Sequence, residues 1–235
     1  MLVEIWSDIV CPWCYIGKRR FESALARFEH ADEVEVRWRS FELDPRAAER
    51  RQGTMAEHLA AKYGMSVEDA SARLGAMDQL AAQDGLHYDL ARTQGGNTFD
   101  AHRLIHLGYE KDSATGAALK EALLHAYFEE LQPIGDPEVL TEIGVRVGLD
   151  RDDVVKTLQS DRLAAEVRED EADAQALGCT GVPFFVFDRA FAIPGAQDPE
   201  TILITLRRAW ERSNPTGQTP AVGVAGMCTD DSCAV

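Results

Sequence analysis

Two cysteines separated by two residues, Cys11-Pro12-Trp13-Cys14, are the part of this chain best suited to chemistry. Thiols at this spacing can attack a disulfide and then close on each other, or supply half of a zinc site. If Cys11 caps a helix, Pro12 takes the first helical position, where its missing N–H is no loss and its fixed φ suits the helix. Cys11 is then the outward, attacking thiol. Cys14, one turn further in, resolves the mixed disulfide. The free N–H groups of Trp13 and Cys14, with the positive helix end, predict a Cys11 pKa below the ordinary thiol value of about 8.5. Zinc would need two more ligands, and the next hundred residues offer only scattered histidines.

The elements that must position this pair are readable on both sides of it. Leu2 to Trp6 is a short apolar strand, Tyr15 to Glu29 has helical spacing, and Val34 to Ser40 alternates with period two. Right-handed crossover places the two strands parallel. From about Leu43 the pattern becomes helical, with segments expected to include Met55 to Tyr63, Ser66 to about Gly85, 98–109, 114–131, 137–147, 151–159 and 161–177. Val182-Pro183-Phe184-Phe185-Val186-Phe187 then returns to β character, and the turn Asp188-Arg189 makes a hairpin with Ala190 to Ile193. Asp198 and Pro199 open a last helix. A proline directly before a buried strand suits the strand's first position, and a cis Val182-Pro183 bond would fit there.

The chain has 235 residues and a net charge of -16, with 45% hydrophobic and 27% charged residues. That is enough to bury a real core, and the acidic balance argues against nucleic-acid partners. No apolar run reaches the length of a membrane span, so no membrane insertion is expected. The N-terminus enters a strand without a basic or apolar leader, which predicts a cytoplasmic protein. Five cysteines in a reducing compartment are catalytic, redox-sensing or metal-binding more readily than structural.

Together, Ser7 to Gly17 around the cysteine pair, Asn97 to Leu104, and Thr180 to Phe187 resemble the DsbA-like oxidoreductases of the thioredoxin superfamily, and within them the FrnE-type branch. The resemblance spans essentially residues 1 to 210. It implies an α/β, thioredoxin-like fold interrupted by a large helical insertion domain: residues 1–43 and 178–212 form the thioredoxin-like domain, 44–177 the insertion, and 213–235 a flexible tail. It also implies a cis Pro183 and thiol-disulfide oxidoreductase activity on protein or peptide substrates, with Cys11 and Cys14 catalytic and no cofactor or bound metal. A proline facing the thiols would bring the main chain of Val182 beside them, where its N–H and C=O can pair with an extended substrate. Trp13 offers an apolar surface at the same place, or simply packs. Glutathione or a thioredoxin-type protein is the expected redox partner.

Other residues carry less specific expectations. Asp8, three residues before Cys11, could oppose thiolate formation, accept a proton from Cys14, or close the strand end by hydrogen bonding. His102 and His106 share a helical face, as a packed pair or a metal pair. Lys18, Arg19 and Arg20 read as a solvated face, and Cys179 as a small buried hydrophobe rather than a third redox thiol. The tail pair Cys228 and Cys233, with four residues between them and beyond a Pro- and Gly-containing linker, is expected to form an auxiliary dithiol. Two rival readings remain. One is a glutathione-dependent isomerase or transferase of kappa type, which shares the architecture but usually has serine at the Cys11 position. The other is a zinc module using Cys11, Cys14, Cys228 and Cys233.

Overall fold

A computed structural model describes residues 1–215. Strand β1 (Leu2–Ser7) lies between β2 (Glu35–Ser40), which is parallel to it, and β3 (Phe184–Phe187), which is antiparallel; β4 (Phe191–Pro194) completes the order β2-β1-β3-β4. The β1 register runs from Leu2 opposite Glu35 to Ser7 opposite Ser40, so both parallel strands end at one edge of the sheet. The β3–β4 connection takes left-handed backbone at Asp188 and Arg189, and the Asp188 carboxylate accepts the Leu2 N–H at 2.6 Å. This hairpin starts one residue later than its sequence suggests.

Helix α1 (Pro12–Leu25) follows β1 and packs with α9 (Pro199–Ser213) on one face of the sheet. Val3 and Ile5 from β1, Phe21 and Phe28 from the α1 side, and Ile202, Leu203 and Leu206 from α9 fill that layer. Each such side chain contributes roughly 1.5–3 kcal/mol on burial. The opposite face covers Trp6, Phe184 and Val186 with the end of α8 (Ala164–Ala176) and Cys179.

The helices between β2 and β3 are α2 (Met55–Tyr63), α3 (Val67–Gln83), α4 (Phe99–Lys111), α5 (Ser113–Phe128), α6 (Pro137–Val147), α7 (Arg151–Leu158) and α8. Their caps explain their bounds. Thr54 and Glu57 form a reciprocal capping box, Ser66 accepts from the Asp69 amide, and Gly64 and Gly148 end α2 and α6 in left-handed conformation. Several boundaries differ from the sequence reading, among them the end of α1 at Leu25 rather than Glu29. Leu163 takes φ +64, so α8 starts at Ala164 rather than 161, and α5 stops at Phe128 instead of 131. The core of this helical region takes in Ile9, Tyr15 and Ile16, so the turn bearing the cysteines is clamped between helices and sheet.

Candidate active site

Cys11 is the N-cap of α1 and Pro12 its first residue, as the spacing requires. Cys11, Cys14 and Cys179 are free thiols, and Cys14 is wholly buried. The Val182–Pro183 bond is cis, and the Cys11 thiol donates to Val182 O at 3.5 Å. Gly17 makes this approach possible: a Cβ there would lie 2.8 Å from Pro183 Cγ and 3.4 Å from the Phe185 ring. Residues 171 positions apart thus meet because one helix position has no side chain.

The expected depression of the Cys11 pKa is not what the surroundings favour. Its hydrogen bond with Cys14, its burial, and the charges of Cys14 and Asp8 push the Cys11 thiol well up. The Cys14 amide acts the other way, as does the charge of the buried Lys120. That amide already donates to Cys11 O at 3.0 Å, and Cys11 makes no side-chain cap. The helix terminus is therefore outweighed by an acid neighbour and a dry site.

Asp8 sits wholly buried beneath the pair. Its Oδ1 accepts from the Ile9 amide at 2.7 Å and pairs with His102 Nε2 at 3.3 Å, while Oδ2 accepts from Leu43 N at 2.8 Å. Burial opposes its charge, yet His102, the Leu43 amide and Lys120 hold the carboxyl below the ordinary range. His106 pairs instead with Asp170 at 3.1 Å and Ser40 Oγ at 3.0 Å. The two histidines are thus a packed pair serving two different acids. Among the described residues, no cluster of three or more His, Cys, Asp or Glu could hold a metal ion. Cys228 and Cys233, needed for both the zinc and the auxiliary-dithiol readings, lie outside the described residues.

Several neighbours escaped the sequence reading. Lys120, on α5, is wholly buried and donates to Ser7 O at 3.1 Å; burial lowers its pKa to about 8, against the favourable charges of Cys14, Asp8 and Cys11. Tyr88, from the loop before α4, donates to Pro12 O at 3.0 Å and stacks on Phe128. Lys18, Arg19 and Arg20 are not a solvated face: Lys18 and Arg19 bind Glu121 of α5, and Arg20 binds Asp84 after α3, because α1 is enclosed by the helical region. Cys179 is buried and donates to Gly181 O at 3.3 Å. Trp13 remains 40% exposed beside Cys11, as an apolar surface rather than packing. A cavity of about 430 Å³ opens there, with Cys11, Trp13 and Val182 in its wall.

Comparison with known proteins agrees with this geometry. A probable DsbA oxidoreductase from Streptomyces coelicolor is 45% identical, with TM-score 0.86, over 100% of this chain and 99% of that one. YwbO of Bacillus subtilis (strain 168) is 28% identical over 200 residues, 83% of this chain and 90% of its own. The cytosolic disulfide reductase DsbM from Pseudomonas aeruginosa shares the fold at 17% identity and TM-score 0.60, over 90% of this chain and 100% of its own. Residues 2–207 match the family described as DSBA-like thioredoxin domain, and the chain belongs to that family of thioredoxin-fold proteins.

Proposed function

We propose that this protein is a dithiol-disulfide oxidoreductase that reduces or isomerises protein or peptide disulfides through Cys11 and Cys14. The observation carrying this reading is the 3.5 Å contact between the Cys11 thiol and Val182 O, which puts the main chain of Val182 beside the attacking sulfur. An extended substrate would pair with Val182 and rest on Pro183 and Trp13. The Cys11 thiolate attacks one substrate sulfur, the other leaves as thiolate, and Cys14 then displaces the bound sulfur by closing the Cys11–Cys14 disulfide. Two electrons and two protons pass from enzyme to substrate.

The direction follows from the environment of Cys11. A strongly oxidising member of such a family owes its potential to a stabilised reduced thiolate. The hydrogen bond with Cys14, burial and the charge of Asp8 act in the reverse sense here, which supports the reduced pair as donor. Glutathione or a thioredoxin-type protein would return the enzyme to its dithiol form in a cytoplasmic setting. The name of the Pseudomonas protein, a cytosolic disulfide reductase, is in keeping with this direction. Two thiols in one turn favour disulfide exchange over kappa-type glutathione transfer. Insulin reduction with glutathione as electron source tests the proposal: wild type should turn over and Cys11→Ser should not. Equal rates would refute it.

A further inference from the structure

We propose that the cavity beside Cys11 is a binding site for small disulfides that carry a carboxylate on an apolar body. This rests on the oxidoreductase reading and names a substrate class for the same thiol. The cavity measures about 430 Å³, within the range of small-molecule pockets. Met55 and Leu59 of α2 and Leu74 and Met77 of α3 give it an apolar wall opposite Cys11. Of the five large apolar side chains exposed among the described residues, Trp13 at 40%, Leu43 at 44% and Tyr63 at 60% line this one cavity.

Its charge runs against the rest of the molecule. In a chain of net charge -16, the cavity is lined by Arg51, Lys62 and Arg73, and none has a carboxylate within 4.0 Å among the described residues. Most other described arginines are ion-paired, as Arg19, Arg39, Arg103 and Arg189 illustrate. The acids in the lining are Asp8, already bound to His102 and two amides, and Asp44, which accepts from the Arg46 amide at 3.3 Å. At the same cavity lies Tyr127, wholly buried, whose hydroxyl has no hydrogen-bond partner among the described residues. Thr93 is close, but its hydroxyl donates to Leu90 O at 2.9 Å and no hydrogen bond of normal geometry joins the two. An unpartnered buried hydroxyl is destabilising, which a ligand oxygen or nitrogen would relieve.

An amphipathic anion satisfies all three features at once: its body meets the methionine and leucine wall, its carboxylate the unpaired cations, and a polar atom the Tyr127 hydroxyl. A disulfide in that body then lies next to Cys11. The Cys11 thiolate attacks the near sulfur, the far half leaves as a thiolate, and Cys14 releases the near half by forming the enzyme disulfide. The ligand gains two electrons, and the two thiol protons go to the departing halves or to solvent.

The test is stopped-flow oxidation of the reduced full chain by 5,5′-dithiobis(2-nitrobenzoate) and by neutral 4,4′-dithiodipyridine, each normalised to its rate with the urea-unfolded chain. The net negative charge should repel the anion, so any preference for it must come from local cations. We expect the normalised anionic-to-neutral ratio to exceed about ten at low salt and to fall as salt screens the rim. Arg51→Gln and Arg73→Gln should each lower the ratio by roughly three- to tenfold. Arg208→Gln, which removes one positive charge from α9, should leave the ratio within about twofold. A ratio near one, unmoved by the Arg51 and Arg73 changes, would overturn the proposal and leave the cavity to substrate polypeptide side chains. If folding accelerates neither reagent and insulin is not reduced, it is the oxidoreductase reading that fails.

Discussion

Replacing Lys120 with methionine separates what this side chain does for stability from what it does for the thiols. The drop from the ordinary 10.5 to about 8, at 1.36 kcal/mol per unit, corresponds to roughly 3 kcal/mol of cost for keeping the ammonium buried at neutral pH. Lys120→Met removes that cost, fills nearly the same volume, and forfeits the hydrogen bond to Ser7 O, worth about 0.5–1.5 kcal/mol. The variant should therefore be about 1.5–2.5 kcal/mol more stable than wild type at pH 7 in urea unfolding. The sign with pH follows from the same values. Between about 8 and 10.5 the unfolded lysine holds its proton and the folded one does not, so wild-type stability rises across that window. The variant should lack the rise. Function should move the opposite way, because the ammonium favours negative charge on Cys11, Cys14 and Asp8. We expect the alkylation midpoint of Cys11 to rise, which lowers its thiolate fraction near pH 7. Iodoacetamide labelling across pH, read by mass spectrometry, measures this. A variant that is destabilised, or that labels Cys11 with the wild-type pH profile, would refute the reasoning.

The other perturbations act on groups around the same pair. Asp8→Asn removes one of the charges that raise Cys11, so its alkylation midpoint should fall, while loss of the His102 pairing lowers stability by roughly 1–3 kcal/mol. Gly17→Ala places a methyl 2.8 Å from Pro183 Cγ; it should cost about 1–3 kcal/mol and slow insulin reduction, despite the better helix propensity of alanine. For the tail, the double change Cys228→Ser with Cys233→Ser should lower glutathione-driven turnover while leaving Cys11 labelling as in wild type; an unchanged turnover would remove any auxiliary role.

Much of the sheet and the reactive turn was legible because each rests on local rules. The apolar run before Cys11, the proline after it, the period-two stretch ending at Ser40 and the hairpin after Pro183 are all short-range signals. What remained hidden depends on partners far away in sequence. Lys120 reaches Ser7 across 113 residues and Lys18 reaches Glu121 across 103, and no pattern within either helix names the other end. A partial signal did exist for Lys120: with Gly116, Leu123, Leu124 and Tyr127 it follows the buried stripe of α5, where a lysine is out of place unless something uses its charge. Tyr88 lies in an irregular segment without periodicity, so its bond to Pro12 O had no advance sign. The Cys11 environment was misjudged for a different reason. The helix terminus and the nearby Asp8 can be read from the sequence, whereas the hydrogen bond with Cys14 and the burial that tip the balance cannot.

The central claim is that Cys11 is the sulfur that attacks and Cys14 the one that resolves. Reacting reduced Cys14→Ser with an insulin disulfide and mapping the adduct by peptide mass spectrometry tests it most directly. The account predicts a stable mixed disulfide at Cys11 alone, and no adduct at all in Cys11→Ser. An adduct at Cys179, or insulin reduction that survives Cys11→Ser, would contradict it.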